Sequence, residues 1–138
     1  KKMQKKIDSF KNHIVVCGYG RNGKQTVRKL LAYDKSFVVV EKDKEMEERL
    51  QIDNVPYVIG NANEDAILLQ AGVDRASNFI SALPSDADNL FVVLSARQIN
   101  KNINIISRAS HESSYDKLKF AGANNVILPD KIGGWVKL

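Results

Sequence analysis

Residues 13–23 read HIVVCGYGRNG, an apolar run set directly against Gly18, Gly20 and Gly23, and a second apolar run closes on Glu41 about twenty residues later. That spacing suits the recognition of phosphate and ribose. Gly18 permits a tight strand-to-helix turn, Gly20 lets backbone N–H groups approach a pyrophosphate, and Gly23 lets the following helix pack close to the strand. The helix start offers free N–H donors and the positive end of its dipole to an anion. Glu41 is placed to accept hydrogen bonds from ribose hydroxyls, and its charge disfavours a 2′-phosphate, an effect that Lys42 beside it softens. Arg21, at the helix start, and Arg108, across the crevice, are the cations best placed to meet phosphates; for each the alternative role is a structural ion pair.

A glycine turn works only if strands and a helix hold it. Six apolar runs read as strands: His13 to Cys17, Phe37 to Val40, Tyr57 to Ile59, Asn78 to Ser81, Ile103 to Ser107 and Asn125 to Leu128. Stretches with helical spacing lie between them, marked by Val27, Leu30 and Leu31, by Leu68 and Ala71, and by Leu90, Val93 and Leu94. Asn63 and Ser85 read as N-caps, the second in a capping box with Asp88, and Gly72 and Gly122 are placed to end the third and fifth of these helices. The alternation predicts an α/β fold, a doubly wound, mainly parallel six-stranded sheet with helices on both faces and right-handed crossovers. In such a sheet a ligand lies outside the carboxyl ends of the strands, where strand order reverses. The residues falling there are Gly18 to Gly23, Glu41 and Lys42, Gly60 to Asn63, Ala82 to Pro84, and Arg108.

The chain has 138 residues, 43% hydrophobic and 27% charged, enough for one domain with a sizeable core. No apolar stretch approaches the roughly eighteen residues that span a bilayer, and no signal peptide opens the sequence, so the expectation is a soluble piece. The net charge of +5 is unevenly spread. Five lysines against Asp8 give the first twelve residues +4, and the remaining 16 basic and 15 acidic residues leave the body at +1. A body so nearly neutral, with no basic stripe interleaved with aromatics, gives no support to nucleic-acid binding. The lead KKMQKKIDSFKN fits two descriptions, a juxtamembrane segment with lysines beside anionic headgroups, or a solvated tail.

Residues for bond-making chemistry are sparse. A dehydrogenase needs a substrate pocket, usually from a second domain, and the six strands occupy the chain. Cys17, the single cysteine, reads as a small hydrophobe at a strand end, and His13 as a surface or packing residue. His111, Glu112 and Asp116 are close enough in sequence for a weak cation site, though acids at a helix start more often complement its dipole. No zinc spacing, Walker motif or nucleophile elbow is present, and no catalytic residue or metal ligand is assigned.

HIVVCGYGRNG, FVVVEKD, YVIGNANEDAILLQAGV, ALPSDADNLFVVLSAR and AGANNVILPDKIGG occur in that order. Together they resemble the RCK family, also called the KTN or TrkA N-terminal domain family, over nearly all of residues 12–134. The resemblance implies a Rossmann-like core, a cytoplasmic regulatory role in a potassium channel or uptake system, and assembly as a homodimer within a tetrameric or octameric gating ring. It also implies a bound NAD(H), ATP, ADP or AMP, or in some members calcium or another cation. Carried over by position, nucleotide contacts fall at Gly18, Tyr19, Gly20, Arg21, Asn22 and Gly23, ribose contacts at Glu41 beside Lys42, and adenine-side contacts at Asn61 and Ala62. Leu83 and Arg108 complete the crevice. At position 61 many members carry aspartate, and Asn61 keeps a hydrogen-bonding group there.

Within this resemblance residues 1–12 correspond to a basic linker from a pore-lining helix, 13–134 to the Rossmann-like domain, and 135–138 to the start of a crossover helix. The implied whole is an integral membrane protein with this lobe on the cytoplasmic face, its linker carrying nucleotide-dependent changes to a pore. The charged linker favours a channel over a separate Trk or Ktr subunit. The rivals of another class are a fragment of an NAD-dependent oxidoreductase and a transcriptional redox sensor, the second of which needs a DNA-binding element that the sequence does not display.

Overall fold

Successive residues of the apolar runs point to opposite sides of one sheet; in the first two strands both sides are buried, and in the fourth and fifth one side is buried and the other partly so. The computed structural model describes residues 2–129 and 135–137. After a short helix α1 (Lys2–Asp8), strands and helices alternate: β1 (Ile14–Cys17), α2 (Arg21–Ala32), β2 (Phe37–Glu41), α3 (Glu47–Ile52), β3 (Tyr57–Ile59), α4 (Asp65–Gln70), β4 (Asn78–Ser81), α5 (Asp86–Ile99), β5 (Asn104–Arg108), α6 (Tyr115–Ala121), β6 (Asn125–Pro129) and β7 (Trp135–Lys137). The strand order is β3-β2-β1-β4-β5-β6-β7, parallel through β6. The predicted doubly wound, Rossmann-like sheet is therefore present with its six parallel strands.

The strands β1 to β4 feed two cores, while β5 and β6 contribute to the first of them. Val15 and Cys17 of β1 and Val38 and Val40 of β2 pack with Leu68, Phe79, Val92, Val93 and Leu118 on the side of α4, α5 and α6. Ile14 and Val16 of β1 and Phe37 and Val39 of β2 pack with Val27, Leu50 and Tyr57 on the side of α2 and α3. Strands covered on both faces have no exposed side to keep polar, which is why the runs show little polar alternation.

Three expectations need correction. Residues 135–137 form no helix; they pair antiparallel with β6, Leu128 facing Val136. Without them β6 would be an edge strand with open N–H and C=O groups, and a neighbouring segment containing Trp and Val suits that edge. The expected domain end at 134 lies outside the described residues, as do Lys1 and Leu138. Asn63 is not the cap of α4: Glu64 holds that position without a side-chain bond, and Asn63 N–H donates instead to Asn61 Oδ1 at 2.9 Å. Ser85 does cap α5, its Oγ accepting from Asp88 N–H at 3.3 Å, and Gly72 and Gly122 follow α4 and α6 with φ of 79° and 123°. Strand ends move by a residue or two, so that His13 and Ile103 precede their strands.

The third correction concerns the basic lead, for which the solvated-tail alternative fails. In α1 Ile7 is fully buried, Met3 packs against the cores and Lys2, Lys5 and Lys6 face outward, while Phe10, just after the helix, packs against the first core. Arg75 Nε donates to Phe10 O at 3.0 Å, Gln4 Nε2 to Gln70 O at 3.0 Å, and the Tyr57 N–H to Met3 Sδ at 3.3 Å. Tyr57 begins β3 and Arg75 precedes β4, so α1 sits at the amino edge of the sheet, opposite the glycine turn.

Candidate functional site

β1 has β2 on one side and β4 on the other, and the chain leaves β1 and β4 toward opposite faces. A cleft of about 840 Å³ opens there, outside the carboxyl ends of the strands. The turn after β1 forms one wall. Gly18 has φ +99°, and its N–H donates to Val40 O at 2.8 Å. A side chain on Gly23 would overlap the Gly18 carbonyl, so α2 can pass this close to β1 only with glycine there. At Gly20 the space around a Cβ is empty, and it precedes α2 with no side-chain cap on the first-turn donors.

Glu41 braces the turn from β2. Its Oε1 accepts the Tyr19 N–H at 2.8 Å and its Oε2 the Asp43 N–H at 2.9 Å. A carboxylate has about four acceptor positions, so two remain for hydroxyl donors of a ligand. Tyr19 lines the cleft through its backbone; the ring is buried and its hydroxyl donates to Asp53 Oδ2 at 2.6 Å. Burial, and then the bond to Asp53, push that phenol up to about 12. Burial, with the charges of Glu41 and Asp88 behind it, pushes the Cys17 thiol up to about 12 as well. Such a thiol stays protonated and serves as a small hydrophobe.

The far wall comes from the β4–α5 turn and the end of β5. Arg108 Nη1 donates to Leu83 O at 2.7 Å and Pro84 O at 2.9 Å, so the arginine lines the cleft with one nitrogen anchored on the rim. Gly18, Tyr19, Gly20, Arg21, Asn22, Glu41, Lys42, Leu83 and Arg108 thus come together around one cavity. Gly23 lies beneath it as a packing residue. Asn61 and Ala62 line a separate recess of about 60 Å³ at the end of β3, which shares Lys42, Leu83 and Asp88 with the cleft.

Gln25, Asp43 and Met46 also line the cleft and carry no motif that distinguishes them in the sequence, and so do Ser85 and Asp88, which the sequence marks as a helix cap and not as site residues. Asn89 is fully buried on α5 directly behind the Leu83 turn. It stands between Asp88 and the apolar run LFVVL of residues 90–94, where the sequence gives no sign that its amide is buried. Asp86 ties α5 to the loop after β5, accepting the Ser110 N–H at 2.7 Å, the His111 N–H at 3.1 Å and the Ser114 hydroxyl at 2.7 Å. Burial alone would raise its pKa, but these bonds outweigh burial and hold it below the usual carboxylate value. That loop is therefore organised around a hydrogen-bonded acid, and among the described residues no three His, Cys, Asp or Glu side chains converge to hold a metal ion.

Residues 14–129 match the TrkA-N domain model. The chain belongs to the TrkA-N family. It is 39% identical over 137 residues to the probable potassium channel protein 2 of Methanocaldococcus jannaschii, covering 97% of this chain and 40% of that relative. The chain thus spans well under half the length of the relative it matches. The TrkA-N domain of the inner membrane protein ybaL from Escherichia coli superposes with a TM-score of 0.83 at 33% identity, covering 87% of this chain and 89% of that one. The ADP-bound structure of GsuK superposes at 0.78 with 28% identity over 86% of this chain and 31% of that one, and the NAD-bound channel at 0.75 with 27% over 86% and 22%. Among the described residues of this TrkA-N domain no helix is long and apolar enough to cross a membrane.

Proposed function

We propose that this TrkA-N domain is a nucleotide-sensing regulatory domain that gates potassium flux through a channel pore, on the cytoplasmic face of the cell membrane. The observation that carries the reading is the cleft where strand order reverses. There an open Gly20 position, the Glu41 carboxylate and the cations Arg21, Lys42 and Arg108 face one space. Phosphates fit the α2 start and the cations, and a ribose fits the remaining acceptor positions of Glu41. The ligand class is NAD(H) or an adenine nucleotide, ATP, ADP or AMP, in keeping with the ADP and NAD held by GsuK.

The domain binds and is not a catalyst: of the cleft acids, Glu41 holds the N–H of Tyr19 on the glycine turn and that of Asp43, and Asp43 holds the N–H of Glu45, both structural tasks. Nucleotide biases the geometry of paired lobes, which assemble as homodimers within a tetrameric or octameric ring, and the basic linker passes the bias to the pore. The docked α1 supports transmission, because a bonded helix moves with the sheet. The likeness to a potassium channel protein supports a channel over a separate uptake subunit. A thermal-shift panel of NAD⁺, NADH, ATP, ADP, AMP and calcium tests the ligand class. At least one nucleotide raises the melting temperature, since ligand at a hundredfold its Kd adds about 2.7 kcal/mol. Stabilisation by none of the nucleotides contradicts the reading, and stabilisation by calcium alone replaces it.

A further inference from the structure

We propose that Asn89 is a positioning residue of the crevice, whose carboxamide fixes the Leu83 and Arg108 backbone that forms the wall facing the glycine turn. The proposal rests on the nucleotide reading of the cleft and extends it to a residue that does not line the cleft. Asn89 is fully buried, and its amide uses both of its donors and accepts twice. Oδ1 accepts from the Ser81 hydroxyl and from the Leu83 N–H at 3.0 Å; Nδ2 donates to Leu83 O at 3.0 Å and to Arg108 O at 3.1 Å.

One side chain therefore holds both the N–H and the carbonyl of Leu83. The same Leu83 carbonyl takes Arg108 Nη1, so the arginine that lines the cleft is set by an acceptor that Asn89 has already fixed. Leu83 in turn meets the glycine turn: a Cβ on Gly18 would lie 3.2 Å from Leu83 Cδ2. The width of the cleft between the Gly18 turn and the Leu83–Arg108 wall thus follows from where Asn89 holds Leu83. Packing alone does not ask for asparagine, since Val92, Val93 and Ala96 on the same buried side of α5 are apolar. An apolar residue at 89 would strand the Leu83 N–H in the interior.

The test uses Asn89→Ser and Asn89→Ala, with Leu118→Ala as a control that loosens the core at α6, away from the cleft. Amide hydrogen exchange is followed in residues 81–86 and 106–110, and ADP affinity is measured calorimetrically for these variants, Arg108→Gln and the Asn89→Ser/Arg108→Gln pair. Both Asn89 variants lose protection in both segments, whereas the control keeps it. Asn89→Ser weakens ADP binding by about tenfold or more, and the pair binds within about twofold of the weaker single variant, because both act on one wall. Unchanged protection in the folded Asn89→Ser chain overturns the proposal; so do ADP affinity near that of the parent or losses that multiply. Failure of the parent chain to bind any of NAD⁺, NADH, ATP, ADP and AMP removes the nucleotide reading, and the exchange result then decides the role of Asn89 alone.

Discussion

Gly18, Gly20 and Gly23 lie under three different constraints, and the constraints separate their roles. Gly23 is needed for the fold, because a methyl group there meets the Gly18 carbonyl. Gly20 has an extended backbone that alanine adopts freely and empty space at its Cβ, so nothing in the unliganded chain asks for glycine. On the proposed function, glycine here serves the close approach of a ligand. Gly23→Ala is therefore expected to cost about 1–3 kcal/mol, as overpacking does. Gly20→Ala should leave stability unchanged or raise it by about 0.4–1 kcal/mol while weakening nucleotide binding. Urea melts paired with titrations check both, and equal destabilisation by the two substitutions would contradict the assignment.

At the scale of elements, the parts legible in the sequence are those whose signals are local. The six parallel strands follow from apolar run length, and the turn after β1 from glycine spacing; Ser85, Gly72 and Gly122 mark helix ends by their own chemistry. The elements that escaped sequence reading depend on something distant. α1 exists because the sheet edge receives Ile7 and Arg75 takes its last carbonyls; β7 exists because β6 offers an unpaired edge; Asn89 matters only once Leu83 and Arg108 surround it. The docking of α1 is checked by Ile7→Ala, which should cost about 2–5 kcal/mol in a denaturant melt, against nearly nothing for a solvated tail.

His13 supplies a pH test of the same edge. It is buried, its Nε2–H donates to Ala71 O at 2.9 Å, and Nδ1 has no hydrogen-bond partner. Burial lowers its pKa from the ordinary 6.5 by more than the bond to Ala71 O raises it, and the charge of Arg75 lowers it further against a smaller opposing effect of Asp74. Below about 6.5 the unfolded chain takes a proton that the native chain refuses, so stability is full above that pH and falls as the pH drops below it. Asp86 acts lower on the scale: its lowered pKa gives stability that is present above the ordinary value of 3.8 and lost as the pH falls beneath it. The melting temperature should decline from pH 7 to pH 5, and His13→Gln should flatten that decline. An unchanged slope in the variant would show that His13 is not its source.

For the whole molecule, α5 separates a buried side next to the cleft from an exposed side that is partly apolar. The buried side of α5 carries Asn89 behind the cleft, while Phe91 and Leu94 are 50% and 43% exposed and Phe120 of the neighbouring α6 is 96% exposed. An apolar surface of this kind fits the proposed pairing of lobes. Sedimentation equilibrium should show concentration-dependent association that Phe91→Asp with Leu94→Asp abolishes; a parent chain that stays monomeric throughout would remove this surface from the account. The excess charge also gains a place, since the exposed lysines of α1 gather at the amino edge of the sheet and leave the cleft to Arg21, Lys42 and Arg108. That the cleft holds a nucleotide is tested by calorimetric titration of the chain with NAD⁺, NADH, ATP, ADP and AMP, repeated on Gly20→Asp. Saturable binding of at least one of them by the parent chain, lost in a variant that melts like the parent, is the expected result; binding of none of them, or equal binding by Gly20→Asp, would contradict it.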